Sequence, residues 1–326
     1  LNSYFNRTVI IIFSILSFIS LINQNIIAQK SSGKYAIVIH GGAGYTSPDI
    51  SDSLKKAYLS SLAEALTIGK EILEDGGSSL DAVEKVINYL EDNSLFNAGK
   101  GAVFTSEGKH ELDASIMSGK DLSSGAVAGV TIIKNPISLA RLVMEKTPHI
   151  LFAGKGADDL GIKLGVEVID NSYFHDKLRY EQWLKSKQDQ NKKGTVGCVA
   201  IDDFGNIAAA TSTGGMSNKL PGRVGDSPLI NAGTYANNKT CGVSATGHGE
   251  LFIKNTVAFN ISALMEYKGY TLKQACEEMI FNRLPEGSGG IIALDKDCNV
   301  EMVFNTSSMF RAAANSEGIF ETAIWK

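Results

Sequence analysis

GTVGCVAIDDFGNIAAATST, residues 194–213, holds two short apolar runs, Thr195–Ile201 and Ile207–Thr213. They are joined by Asp202-Asp203-Phe204-Gly205-Asn206. Two β-prone runs around a polar loop containing glycine read as an antiparallel hairpin. Further strands are expected at Tyr35–His40, closed by the glycine turn 41–44, and at Ala102–Phe104, Leu112–Met117 and Gly125–Ile133. After the hairpin come Cys241–Thr246, Gly290–Leu294, Val300–Phe304 and Phe310–Ala313. Helical spacing appears at Ser53–Glu74, Ser79–Glu91 (Ser78 or Ser79 as N-cap), Ile137–Lys146, Glu250–Tyr267 and Leu272–Arg283. Strands come in groups with helices in pairs between them. This is an α+β pattern of stacked sheets covered by helices, not a regular βαβ alternation.

The chain has 326 residues, 44% of them hydrophobic and 20% charged, with a net charge of −4. That composition suits a globular protein with a sizeable core. It lacks the basic runs that nucleic acid requires, so nucleic acid is not an expected partner. Residues 1–28 have the anatomy of a secretory signal peptide: Arg7, an apolar run Val9–Ile22, and the small Ala28 before a polar stretch. The expectation is export to the periplasm or the exterior. The four cysteines, Cys198, Cys241, Cys276 and Cys298, form no CxxC, which argues against a zinc or redox motif. Lys185–Lys193 is rich in charged and amide side chains without apolar periodicity, so a linker is expected there.

The linker meets the first buried strand at Gly194-Thr195. A mid-chain hydroxyl nucleophile normally borrows a base, most often histidine. The five histidines form neither HExxH nor a pair at metal spacing, and no G-x-S-x-G elbow is present. Thr195 offers another route. If the Gly194–Thr195 bond breaks, Thr195 gains an α-amine with an ordinary pKa of about 8. One residue then carries both nucleophile and base.

The sequence that follows fits that chemistry. Thr211–Lys219 places hydroxyls, including that of Thr213, beside a glycine turn. Pro221–Pro228 sets Arg223 and Asp226 three apart in a Gly/Pro-rich loop. Arg223 can grip a carboxylate with a bidentate fork, and Asp226 can hold an ammonium. Together they match the two charges of an amino acid. At Ala245-Thr246-Gly247-His248-Gly249 a strand ends and a helix begins. The Thr246 hydroxyl and backbone N–H groups there can cradle an oxyanion.

These segments resemble the plant-type asparaginase / isoaspartyl peptidase family of N-terminal nucleophile hydrolases. The resemblance rests on HGGAG at 40–44, LFNAGKGAVF at 95–104, HELDASIM at 110–117 and GAVAGV at 125–130. It continues in GTVG at 194–197, ATSTGGMSNKLPGRVGDSPL at 210–229, AGTYANN at 232–238 and ATGHGE at 245–250. The long block at 210–229 is the most specific.

The resemblance implies a four-layer αββα sandwich, cut by the chain itself between Gly194 and Thr195. Segments 29–194 and 195–326 would then form one domain, with two such pairs assembling as an (αβ)₂ homodimer. It implies hydrolysis of isoaspartyl dipeptides and L-asparagine, with Thr195 as nucleophile and Thr213 supporting it. Arg223 and Asp226 would bind the substrate's α-carboxylate and α-amine. Thr246 and Gly247 would form the oxyanion hole, and Asn97 would approach the nucleophile. No cofactor is implied for catalysis. A structural sodium ion is implied on backbone carbonyls of Leu90, Glu91, Asn93, Phe96, Ala98 and Lys100. Glycosylasparaginase is the nearest rival, but Gly194 precedes Thr195 where the glycan enzymes typically carry Asp. A non-catalytic exported amino-acid-binding protein would have no need of the nucleophile.

Overall fold

A computed structural model describes residues 33–186 and 194–326. The expected signal peptide, residues 1–28, lies outside them, as does the expected linker from residue 187 onward. In chain order the strands are β1 Ala36–Gly44, β2 Leu112–Ser118, β3 Ser124–Val130, β4 Leu151–Ala153, β5 Val196–Ile201 and β6 Ile207–Thr213. Then follow β7 Thr234–Ala236, β8 Cys241–Gly247, β9 Gly289–Asp295, β10 Val300–Phe304, β11 Ser308–Asn315 and β12 Phe320–Trp325. The α-helices are α1 Asp52–Glu74, α2 Ser79–Glu91, α3 Pro136–Lys146, α4 Gly154–Leu164, α5 Lys177–Ser186, α6 Gly249–Asn255, α7 Val257–Lys268 and α8 Leu272–Glu277. The fold is α+β.

One sheet has eight strands in the order β12-β11-β1-β5-β6-β2-β3-β4, and the other has four, β10-β9-β8-β7. Pairing is antiparallel except between β3 and β4. The apolar strands separate their side chains with the two-residue period of a pleat. Ile37, Ile39, Val196, Cys198 and Ala200 join a core with Leu62, Leu66, Val83, Val86 and Leu90 of α1 and α2. Ala36, Val38, Val199 and Ile201 belong to a second core with Val243, Ala245, Ile291 and Ala293 of β8 and β9. That second core also takes in Ile261 of α7 and Ala275 and Cys276 of α8. Cys198, Cys241 and Cys276 are buried, and all four cysteines are free thiols.

The expected hairpin forms as β5–β6, with Ile201 opposite Ile207 and Val196 opposite Ser212. Ser78 caps α2 by accepting from Asp81 N. Several expectations need correction. β1 does not stop before the glycines but runs to Gly44, bulging between His40 and Gly42. Ala102–Phe104 is not a strand. It follows a tight turn at Gly99–Gly101, and Phe104 O is taken by Asn218 N in a loop instead of by a ladder. β3 ends at Val130. The helix expected over 250–267 breaks at Thr256, whose φ is 46°. That expected over 272–283 ends in a π turn, Glu278–Arg283.

Candidate active site

β5 opens immediately after Thr195, so its ladder fixes where that residue sits. Thr195 is buried, 6% exposed. Its hydroxyl donates to Thr213 Oγ1 at 3.2 Å. Thr213, the last residue of β6, in turn donates to the Gly194 carbonyl at 3.0 Å and accepts from Gly215 N at 2.9 Å. Asn97 Nδ2 reaches the same Gly194 carbonyl at 2.7 Å. The Asn97 amide is fixed in orientation, because Nδ2 also donates to Gly215 O and Oδ1 accepts from Val103 N. The carbonyl before Thr195 is thus polarised by two donors, and the Thr195 hydroxyl is oriented by one of them.

The Thr195 carbonyl is held as well. His40 Nδ1 lies 3.0 Å from it, and a carbonyl can only accept, so Nδ1 carries the proton. His40 Nε2 must then accept from Ser244 Oγ, 3.1 Å away. The same logic orients the hydroxyls behind it. Thr211 lies 2.7 Å from Ser244, Thr234 donates to Thr211 at 2.6 Å, and Ser115 lies 2.8 Å from Thr234. All five side chains are buried. Burial pulls the His40 imidazole down to about 3, despite its bond to the Thr195 carbonyl, so it is neutral over the physiological range. The histidine spacing in the sequence gives no reason to single one out. His40 opens the HGGAG segment, but nothing local marks its role, because its partners lie 155 and 204 residues away.

Thr246, Gly247, Arg223 and Asp226 meet at the corner between β8 and α6. Thr246 Oγ1 accepts from Ala43 N at 3.2 Å, so its own proton remains for another acceptor. The neighbouring Gly42 brings β1 against Thr195: a Cβ there would stand 3.1 Å from Gly194 Cα and 3.3 Å from Thr195 N. Gly247 has φ 150° and no room for a side chain beside Ser288 and Gly289. At Gly249, a Cβ would stand 2.9 Å from both Arg223 Nη2 and Asp226 Oδ1. The expected clamp therefore abuts the corner that carries Thr246 and Gly247.

The clamp is charged and incompletely satisfied. Arg223 donates through Nε and Nη2 to Glu250 Oε1, at 3.0 and 2.9 Å. Asp226 is buried, and its Oδ2 has no hydrogen-bond partner. Desolvation pushes its carboxyl up to about 7, against the pull of its own backbone N–H and Arg223. Sequence reading missed two further charges here. Asp113 of β2 stands opposite Thr213, with Oδ2 unpartnered and its pKa raised by burial. Burial pulls the Lys219 ammonium below its usual range, opposed by Asp113 and Glu111. An Asp inside the apolar run LDASIM was the one visible sign of this cluster.

The end of α2 and the loop after it carry the carbonyls on which the resemblance places a sodium ion. A Cβ on Gly99 would collide with the Glu91 carbonyl, and one on Gly101 with the carbonyls of Phe96 and Ser94. Carbonyl oxygens therefore crowd inward on two glycines. Those of Phe96 and Ala98 accept one bond each, from Ala98 and Gly101, which leaves each a second lone pair, while that of Leu90 takes Asp92 N and Asn93 N. The Lys100 ammonium lies 5.7 Å from the centre of the Tyr173 ring.

The model of a family described as asparaginase matches residues 33–324. The chain belongs to the asparaginase family. It is 48% identical to the isoaspartyl peptidase of Escherichia coli strain K12, over 86% of this chain and 92% of that protein. It is 42% identical to a probable isoaspartyl peptidase/L-asparaginase 2 of Arabidopsis thaliana, over 90% of this chain and 100% of that one. It is also 42% identical to the isoaspartyl peptidase/L-asparaginase of Homo sapiens, over 85% and 92% respectively. Membership of this family makes the chain an enzyme, an amidohydrolase that acts on small molecules.

Proposed function

We propose that this enzyme hydrolyses isoaspartyl dipeptides and L-asparagine to L-aspartate, using Thr195 as a nucleophile released by self-cleavage. The observation that carries the reading is the Gly194 carbonyl, held by Asn97 and Thr213 beside the Thr195 hydroxyl. The hydroxyl attacks that carbonyl, and the developing oxyanion draws on the Asn97 and Thr213 donors. The peptide bond to Thr195 N breaks as the ester to Thr195 Oγ forms. Water then cleaves the ester, leaving a Gly194 carboxylate and a free Thr195 amine.

In the second act the Thr195 hydroxyl loses its proton to that amine and attacks the β-carbonyl of the substrate. Thr246 and Gly247 stabilise the oxyanion. Arg223 turns from Glu250 to the α-carboxylate, and Asp226 pairs with the α-ammonium, which lowers the cost of its burial as an anion. Ammonia or the rest of the peptide leaves with the proton. Water hydrolyses the β-aspartyl ester and releases aspartate.

The names of the relatives support this reading over glycosylasparaginase or a non-catalytic binder. The reading extends to a four-layer αββα sandwich, supported by helices packed on the outer faces of two apposed sheets. It extends also to an (αβ)₂ homodimer and to export after loss of residues 1–28. A sodium ion on the carbonyls of Leu90, Glu91, Asn93, Phe96, Ala98 and Lys100 would brace the loop carrying Asn97.

The test is Thr195→Ala against the parent, by denaturing electrophoresis and intact mass. The parent should yield a fragment beginning at Thr195, and the variant should stay whole and inactive. An active uncut variant would end the proposal.

A further inference from the structure

A cavity of about 640 Å³ opens beside the candidate site. Gly42, Asn97 and Gly194, which border the scissile position, line it together with His248. Arg223, Asp226 and Thr246 do not line it. The cavity thus lies on the Gly194 side of the scissile bond, apart from Arg223 and Asp226, as a second space beside the one they would provide. L-Asparagine has no use for the second one, since its leaving group is ammonia. A dipeptide has a whole residue to place.

The cavity walls fit such a residue. Leu54, Tyr58, Leu95 and Phe310 supply apolar surface, with Tyr58 stacked on Phe310 at 4.3 Å. Arg179 and Gln182 of α5 supply the polar wall. Arg179 forms no ion pair among the described residues. Its Nη2 donates to Leu95 O at 2.8 Å, its Nη1 reaches Gln182 Oε1 only at 3.4 Å, and its Nε is buried without a partner. A guanidinium carries five donors, so this one has donors to spare. Asp176 accepts from the Arg179 backbone N–H and favours the cation without pairing with the guanidinium. A half-buried cation so weakly compensated is costly, and a carboxylate entering the cavity would relieve that cost.

We infer that Arg179 is a specificity-determining residue that pairs with the free carboxylate of the leaving amino acid in isoaspartyl dipeptides. The side chain of that amino acid packs on Leu54, Tyr58 and Phe310. This rests on the function proposed above and assigns the substrate class to its second pocket: β-aspartyl dipeptides with an apolar C-terminal residue.

The test compares the parent, Arg179→Met and Arg179→Lys on three substrates: β-aspartyl-leucine, β-aspartyl-leucinamide and L-asparagine. In the parent, the acid should exceed the amide in kcat/KM by about tenfold or more, as expected for a charge-assisted bond. Arg179→Met should lose that margin through KM and treat acid and amide alike. Arg179→Lys should keep part of it. L-Asparagine turnover and the yield of cut chain should stay within about twofold of the parent. A parent indifferent to acid or amide would overturn the inference even if Arg179→Met failed to fold. So would an equal loss on asparagine and dipeptide, because Arg179 would then act only by bracing Leu95 and Asn97. A parent inactive on all three would remove the function and the subsite together.

Discussion

Two polar regions flank Thr195, and they are finished to different degrees. On one side, Asn97, Thr213, His40, Ser244 and Thr211 bond each other or the backbone in a closed set. All are neutral, and none is left with an unpartnered buried atom. On the other side, Asp226 and Asp113 each keep a buried oxygen without a partner, and Arg223 leans on a half-exposed Glu250. A satisfied network is rigid and positions what it touches. An unsatisfied charge costs stability and awaits a ligand. On the function proposed above, the Thr195 side holds still and the Arg223–Asp226 side binds.

The largest effect that would sharpen this contrast is at Asp226. Burial has pushed its carboxyl up to about 7. Below that pH it is protonated and cannot pair with an ammonium, so kcat/KM should fall as the pH drops through about 7. Asp226→Asn should raise KM roughly 100-fold, consistent with losing a buried charge pair. It should also flatten that limb of the profile and leave the chain cut. A pH profile unchanged in the variant would assign the ionisation elsewhere.

A smaller effect is expected from the closed side. His40→Asn should slow both self-cleavage and turnover about tenfold, through a displaced Thr195 carbonyl. It should also reduce acid lability. The imidazole is held near 3 in the fold, against about 6.5 when unfolded. Its contribution is therefore complete above the ordinary histidine value and is lost as pH falls toward 3. Melting temperatures from pH 7 to 4 should drop less steeply in the variant. Equal slopes would show that His40 is not the titrating group.

The smallest effect concerns Glu91, at the end of α2. Its Oε1 accepts from Ser212 Oγ at 2.6 Å and Ile137 N at 3.1 Å. Burial pushes the carboxyl up to about 8, against those bonds. A raised carboxyl favours the protonated fold, so its contribution is present below the ordinary carboxylate range and lost as pH rises through about 8. Glu91→Gln should melt about 2–4 °C above the parent at pH 9 and level with it at pH 5. A lower melting point at both would place an anion there instead.

The same contrast explains what could be read from the chain. β5, β6 and β10 were legible because each is an apolar run bounded by turn residues, and α2 because its cap and spacing are local. Arg223 and Asp226 were legible as opposite charges three apart in a stiff loop. The three-residue strands β4 and β7 are too short to show a period. The break at Thr256 lies inside a continuous helical pattern, since it depends on a backbone angle. His40 and its hydroxyl partners stayed hidden for another reason. Serine and threonine on a strand look like ordinary strand residues, and only folding brings residues 40, 195 and 244 together. The strands and helices were thus largely legible from local pattern, and the candidate site where its residues sit in one loop or at a strand end, as at Arg223, Asp226, Thr195, Thr213 and Thr246. Asn97 was marked only by the resemblance of its segment.

The sheet order places β1, from the first segment, between β11 and β5 of the second, and β2 of the first beside β6 of the second. A cut after Gly194 would leave two polypeptides laced through one another. Before the cut, the fold forms within one molecule. Afterwards, unfolding sets two fragments adrift, and recovery depends on their meeting again at a rate set by concentration. Cleavage would thus act as a one-way latch. Fragments mixed dilute should recover far less than the unbroken Thr195→Ala chain, although their sequences are the same but for one residue.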